Sequence, residues 1–336
     1  MSMFDNLAFV IKVSGEMIAH NGEDSFFYDA TNCNDDLFCM GVFDGCGGAG
    51  SRKYSKYGLD NKTGAWIASR SASNFTENFY RNNEFECLPK DQNDDEKRFE
   101  KSLFKEFSNI KAQCHPNNSM IKGSLVKSFP TTANIAILKK IQENEFFCEF
   151  LSAGDSRGYI LLDKGLTQIT EDDIDELQDA NTNLTNDAIL NNFVNADFQF
   201  EIHRNICGIG TDKFILITAT DGAFAYFRNP MEFEYAILKT MFESQQGQEW
   251  EDRLREYIIK YTGDDVTILM AVFGFTSFDE IKKYFENRYN NLTNKYINPL
   301  RGVSEQQYEE KKEILWEEYK KTYYSEKITR MGDNLL

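Results

Sequence analysis

The chain has 336 residues, 41% of them hydrophobic and 27% charged, which suits one large folded domain or one domain with an extension. Its net charge of −17, from 54 acidic against 37 basic residues, sets it against nucleic-acid binding, which relies on Lys and Arg at the phosphates. No apolar run is long enough to cross a bilayer, and the opening MSMFDNLAFVIKVSGEM has no basic segment leading into a long apolar core.

Seven scattered cysteines without a Cys-x-x-Cys pair fit a reduced, cytoplasmic protein rather than a disulfide framework. The three histidines, His20, His115 and His203, are too few for a histidine-based zinc or iron centre. The carboxylate excess points to oxygen-ligated magnesium or manganese instead.

In chain order, apolar runs predict strands over residues 7–13, 25–28 and 37–43. The third runs into GVFDGCGGAG, where Asp44-Gly45 is by turn chemistry a hairpin signal. No alternating strand follows it. Tyr54, Tyr57, Trp66 and Ile67 recur at roughly helical spacing, so residues 49–79 are expected to be helical. A strand, an Asp-Gly, a glycine loop and a helix suit a carboxylate held beside exposed backbone, for a metal or a phosphate.

A charged loop leads to a second helix over 99–112, then strands over 132–138, 146–152 and 157–162. The acidic, amide-rich stretch 171–195 reads as short helices and loop. Strands are expected over 198–203 and 214–219, helix from 223 to 261, and a last strong strand over 266–273. Helices inserted in pairs among many strands argue for α+β architecture rather than regular βαβ winding.

Beyond residue 275 the character changes. Phe278, Ile281, Phe285, Tyr289, Leu292 and Tyr296 share one helix face, which Pro299 and Gly302 end. Ser304 with Gln307 forms a capping box opening a second helix through Trp316 and Tyr319 to Tyr323. This tail holds 11 basic and 11 acidic residues, so the acidic excess lies wholly before it. The shift divides the chain into 1–275 and a helical extension, 276–336, whose aromatic surface docks on the body or on a partner.

Five carboxylate sites recur beside glycines or strand ends: Glu23-Asp24, Asp44-Gly45, Asp155 in GDSR, Asp221-Gly222 and Asp264-Asp265. Singly, each is a turn. Together, they suit a binuclear site in which several carboxylates converge at one sheet edge.

GEDSFF, MGVFDGCGG, FPTTANIAIL, LSAGDSRGYIL, GLTQIT, FILITATDGAF and GDDVTILMAVF, in that order from Gly22 to Phe273, make the sequence resemble the metal-dependent Ser/Thr protein phosphatases of type 2C. The resemblance implies a four-layer α-β-β-α sandwich, two antiparallel sheets flanked by helices with the metal site at one sheet edge. It implies two Mn2+ or Mg2+ ions, with a place for a third, and a hydroxide between two ions that attacks a phosphomonoester in line.

By the same resemblance Asp44 bridges the ions, the Gly45 carbonyl and Glu23 complete one ion's ligands, and Asp221 and Asp264 hold the other. Asp155 with Asp221 matches the third-ion position. Asp24 orients the attacking water, and Thr132 and Gly154 shape the floor of the site. The implied substrate is a phosphorylated protein, a kinase or its target.

The sequence departs from the family at two points. Ala19 stands where an arginine commonly grips the substrate phosphate, a charge-assisted contact of about 1.5–3 kcal/mol. His20, next to it, is the candidate replacement, set against the plainer reading of a solvated loop histidine. Cys46 stands where some relatives carry a general-acid histidine. A Cys46 nucleophile lacks the Cys-x5-Arg loop or paired histidine it would need.

Arg157 reads as a structural partner of a carboxylate, and Ser156 and Thr132 as hydrogen-bonding turn groups. The rival to an active phosphatase is a phosphatase fold that no longer turns over and docks a kinase or phosphoprotein. A two-metal nuclease would need a basic surface.

Overall fold

The computed structural model describes residues 6–29, 37–55, 61–87, 94–116, 127–175, 179–183 and 189–324. The strands are β1 Leu7–Gly15, β2 Ser25–Tyr28, β3 Leu37–Phe43, β4 Lys53–Ser55, β5 Lys62–Thr63, β6 His115–Pro116, β7 Ala133–Gln142, β8 Glu145–Ala153, β9 Arg157–Leu162, β10 Gly165–Gln168, β11 His203–Ile209, β12 Phe214–Ala219 and β13 Val266–Phe273. The helices are α1 Gly64–Arg81, α2 Asp95–Gln113, α3 Ala180–Asn183, α4 Pro230–Glu243, α5 Gly247–Ile259, α6 Phe278–Asn291 and α7 Glu305–Tyr323.

Two five-stranded antiparallel sheets, ordered β1-β13-β12-β9-β10 and β11-β8-β7-β3-β2, stack face to face. The period of two along each strand decides which side chain meets which layer. In β3, Phe38, Met40 and Val42 point to the other sheet, while Leu37, Cys39 and Phe43 join the layer under α1 and α2. In β13, Leu269, Ala271 and Phe273 enter the inter-sheet core, and Ile268, Met270 and Val272 meet α4 and α5. The result is the expected α-β-β-α sandwich.

Several local expectations are corrected. Residues 53–55 and 62–63 form short strands, and the helix expected from 49 begins at Gly64, where the Thr63 side chain accepts from the Trp66 N–H. Residues 56–60 of that expectation lie outside the described residues, as do 176–178 and 184–188 of the 171–195 stretch. The strand expected over 198–203 lies at His203–Ile209, paired with β8. Asn195 Oδ1 accepts from the N–H groups of Asp197 and Phe198, turning the chain before that strand can start. β10 went unread, and the 223–261 helical region splits into a 3-10 turn, Asp221–Ala223, followed by α4 and α5.

The tail helices lie against the body. Ile281, Phe285, Leu292, Tyr296, Trp316, Tyr319 and Tyr323 belong to the same buried cluster as Met231, Leu238 and Trp250. The Ser304–Gln307 capping box forms as read. The face of α7 that could have served a partner is therefore turned inward, with Trp316, Tyr319 and Tyr323 at most 1% exposed. Among the described residues no helix is long and apolar enough to cross a membrane.

Candidate active site

Antiparallel pairing brings one end of several strands to a common edge. Glu23 and Asp24 directly precede β2, Asp44 directly follows β3, and Asp155 occupies the turn from β8 to β9. Asp221 opens the turn after β12, and Asp264 and Asp265 directly precede β13. Glu23, Asp44, Gly45, Asp155, Asp221 and Asp264 thus come to line one cleft of about 280 Å³, with Cys46, Thr132 and Asp265.

Two predicted residues stand outside that lining. Asp24 lies behind it, its Oδ2 accepting from the Thr220 hydroxyl at 2.9 Å. His20 is exposed, with φ +65°, on the loop that leads to Glu23, and its N–H donates to Glu16 Oε2 at 2.5 Å.

The backbone of Asp44 is held from three sides. Its carbonyl accepts from Thr132 N–H at 2.8 Å and from the Thr131 hydroxyl at 2.7 Å, and its own N–H donates to Thr132 Oγ1 at 3.2 Å. Thr132 Oγ1 also meets Ser156 Oγ at 2.7 Å, which ties the Asp44 turn to the Asp155 turn. Arg157 is buried and grips Asp172 through two nitrogens, Nε to Oδ1 at 2.9 Å and Nη2 to Oδ2 at 2.6 Å. It is a structural arginine, as its setting suggested.

The glycines after Asp44 meet a spatial need. A Cβ on Gly47 would stand 2.2 Å from Glu23 Oε2, and one on Gly45 would stand 2.7 Å from the Ala65 carbonyl. At Gly45 only bare backbone fits between the Glu23 carbonyl and the start of α1, and at Gly47 a side chain would displace the Glu23 carboxylate. The turn chemistry of Asp-Gly therefore serves a close approach, with no hairpin following it.

The electrostatics are those of crowded acids. Burial first, then Asp221 and Asp24, push the Asp44 carboxyl well above the ordinary range. Burial and Asp221 do the same to Asp155 and, to a lesser degree, to Asp264. Burial raises Glu23 against the opposing bond from the Thr63 hydroxyl. Asp24 is pushed up to about 7 by burial, with Thr220 and Thr267 pulling the other way. The Cys46 thiol is pushed up by burial, with Asp155 and Asp221 adding to it, which keeps it protonated and unsuited to nucleophilic attack.

The donor set fits hard divalent cations. The charged groups lining the cleft are carboxylates, and Asp24 Oδ1 and Asp221 Oδ1 are buried without a hydrogen-bond partner. Among the described residues, no group of three or more His, Cys, Asp or Glu side chains stands in a metal-holding arrangement.

Two participants have no role assigned from the sequence. Asp265 lines the cleft and accepts from Met17 N–H at 2.8 Å and Glu23 N–H at 2.6 Å. The Asp264-Asp265 doublet marks it, but the family resemblance assigns a role to Asp264 alone. Arg70, stacked 4.1 Å over Trp66, donates to the carbonyls of Gly22 and Glu23 at 3.0 and 3.4 Å. A helical arginine carries no mark of such a role.

A family model described as protein phosphatase 2C matches residues 20–258. The comparison with curated proteins gave no match. Among solved structures, the serine/threonine phosphatase Stp1 of Staphylococcus aureus is similar with a TM-score of 0.54 and 14% identity, over 79% of this chain and 94% of that one. The Mycobacterium tuberculosis serine/threonine phosphatase PstP is similar with a TM-score of 0.52 and 15% identity, over 80% and 99%. The PstP catalytic domain in complex with two manganese ions gives 0.50 and 15%, over 80% and 98%. At these identities the likeness to solved structures is one of fold.

Proposed function

The chain belongs to the protein phosphatase 2C family, and from that premise we propose that it is a metal-dependent, cytoplasmic protein serine/threonine phosphatase acting on phosphorylated proteins, a kinase or its target among them. The observation that carries the proposal is the convergence of Glu23, Asp44, Asp155, Asp221 and Asp264 on one cleft, with unpartnered buried oxygens on Asp24 and Asp221. Residues 1–275 carry this machinery, and 276–336 are its helical extension.

In this reading Asp44, with Glu23 and the Gly45 carbonyl on one side and Asp221 and Asp264 on the other, would hold two Mn2+ or Mg2+ ions. Asp155 with Asp221 offers the place for a third. The ions, when bound, neutralise the phosphate dianion and lower the pKa of water to near neutral. Asp24, fixed at Oδ2 by Thr220, keeps Oδ1 free to accept a hydrogen bond from the attacking water and so to orient it. The Thr132–Ser156 contact holds the Asp44 and Asp155 turns at a set separation. His20, exposed on its loop, is our candidate for the phosphate contact that Ala19 does not supply.

A phosphatase fold kept only for binding is disfavoured by the retained carboxylates, which without cations only repel one another. The test is phosphate release from a phosphothreonine peptide by the full chain with manganese, with chelator, and after Asp221→Asn. Manganese-dependent release lost in the variant is expected. A protein that binds manganese yet releases no phosphate would overturn the enzymatic reading in favour of the binding one.

A further inference from the structure

The tail lies outside residues 20–258, so family membership does not account for it. Resting on the function just proposed, we propose that the last turn of α7 is a positioning element for the Asp155 and Asp221 side of the cleft. Tyr323 acts there through Gln168, Asp172 and Arg157.

Two routes lead from Tyr323 to the site. The first is polar. Tyr323 Oη donates to Gln168 Oε1 at 2.9 Å, and Gln168 Nε2 donates to the Thr170 carbonyl at 2.8 Å and reaches Asp172 Oδ1 at 3.4 Å. Asp172 holds Arg157, two residues beyond Asp155, through the paired bonds already described. Gln168 has one acceptor and two donors, and the tyrosine hydroxyl occupies the acceptor. Its amide orientation, and hence its donation toward Asp172, is thereby set from the tail.

The second route is aromatic. The Tyr323 ring meets Tyr159 edge-on at 6.4 Å, and Tyr159 meets Phe224 edge-on at 6.2 Å. Phe224 closes the turn that Asp221 opens, its N–H donating to the Asp221 carbonyl at 2.9 Å. Arg157 lies 4.4 Å over the same Phe224 ring, so both routes meet at one residue pair. Tyr323, Tyr159 and Arg157 are at most 2% exposed, and a buried network of this kind transmits a lost contact rather than exchanging it for water.

The test compares the full chain with Tyr323→Phe and Tyr308→Phe. Tyr308 lies at the other end of α7, where its hydroxyl meets Glu232 at 2.9 Å and Asn229 at 2.8 Å, away from the cleft. Two readouts are followed against manganese concentration: the rise in melting temperature and the hydrolysis of p-nitrophenyl phosphate. Tyr323→Phe is expected to raise the half-saturating manganese concentration in both by about threefold to fivefold, the scale of one lost hydrogen bond. Tyr308→Phe is expected to lower the metal-free melting temperature and leave the half-saturation point in place.

An unmoved half-saturation point in Tyr323→Phe would overturn the positioning role and leave α7 a stabilising helix only. A wild-type protein with no manganese response at all would overturn the phosphatase reading first, and the brace with it.

Discussion

Arg288 of α6 and Glu234 of α4 form a buried two-pronged ion pair, Nε to Oε1 at 2.7 Å and Nη2 to Oε2 at 2.6 Å. The Tyr319 hydroxyl of α7 closes on the same carboxylate. One acidic side chain in the body thus receives both helices of the tail. Arg288→Ala strands Glu234 without its cation in a dry core, a loss of about 3–5 kcal/mol. Chemical denaturation should show it. A change below 1 kcal/mol would mean the tail is not held through this pair.

Metal removal should destabilise the protein, because burial, with the Asp221 charge adding to it, raises Asp44, Asp155, Asp264 and Asp24 toward the neutral form. In the metal-free state Asp221→Asn removes one of those repelling charges and is expected to stabilise the fold by roughly 1 kcal/mol. With manganese present the order reverses, since the variant lacks a ligand. Thermal melts with and without chelator check both signs.

Gly47→Ala places a methyl on the Glu23 carboxylate, which sits at the end of a flexible side chain and can swing away. The metal-free melting temperature should hardly move, within the equivalent of about 0.5 kcal/mol, because the one close neighbour of the new methyl is that movable carboxylate. The manganese requirement should rise clearly. An unchanged requirement in a titration would separate Glu23 from the metal site.

His203 Nε2 meets Asp173 Oδ1 at 2.8 Å, and that bond, with Asp173, Glu201 and Glu96 as surrounding charges, holds the imidazole above its ordinary value. The native state therefore binds the proton more tightly than the unfolded chain. The stabilisation is fully present below about pH 6.5 and is lost as pH rises through the folded value. The side chain is 40% exposed, so screening limits the effect to about 0.5 kcal/mol. The difference in stability between the native protein and His203→Gln should shrink from pH 5.5 to pH 8. A pH-independent difference would count against the pairing.

Ala19 lies on the exposed loop before Glu23. Restoring an arginine there adds a phosphate donor without disturbing the core, and Ala19→Arg should lower KM for a phosphopeptide about tenfold. Steady-state kinetics would show it. An unchanged KM would mean that the loop does not face the substrate phosphate.

The sequence by itself determined the strands that are buried on both faces. Those at 37–43, 157–162, 214–219 and 266–273 were read with the bounds the structure has, because burial writes itself as a largely apolar run. The half-buried edge strand 25–28 was read with its bounds from Phe26, Phe27 and Tyr28. The sequence also marked the carboxylates, since Asp or Glu beside glycine or a strand end is a local pattern, and five such sites set within seven motifs in family order are hard to produce otherwise.

Tertiary structure alone decided what depends on distant partners. β11 is an edge strand, with polar His203, Arg204 and Asn205 in it, so no hydropathy run announces it and its pairing with β8 makes it a strand. Asp265 becomes a cleft residue through the Met17 and Glu23 amides, and Arg70 a support of Glu23 through carbonyls far away in the chain. The tail's aromatic face was legible, but its destination was not. Apolar stripes report that a surface must be covered, while the covering surface is chosen by shape and by polar partners such as buried Glu234 and half-buried Asp179 and Gln168.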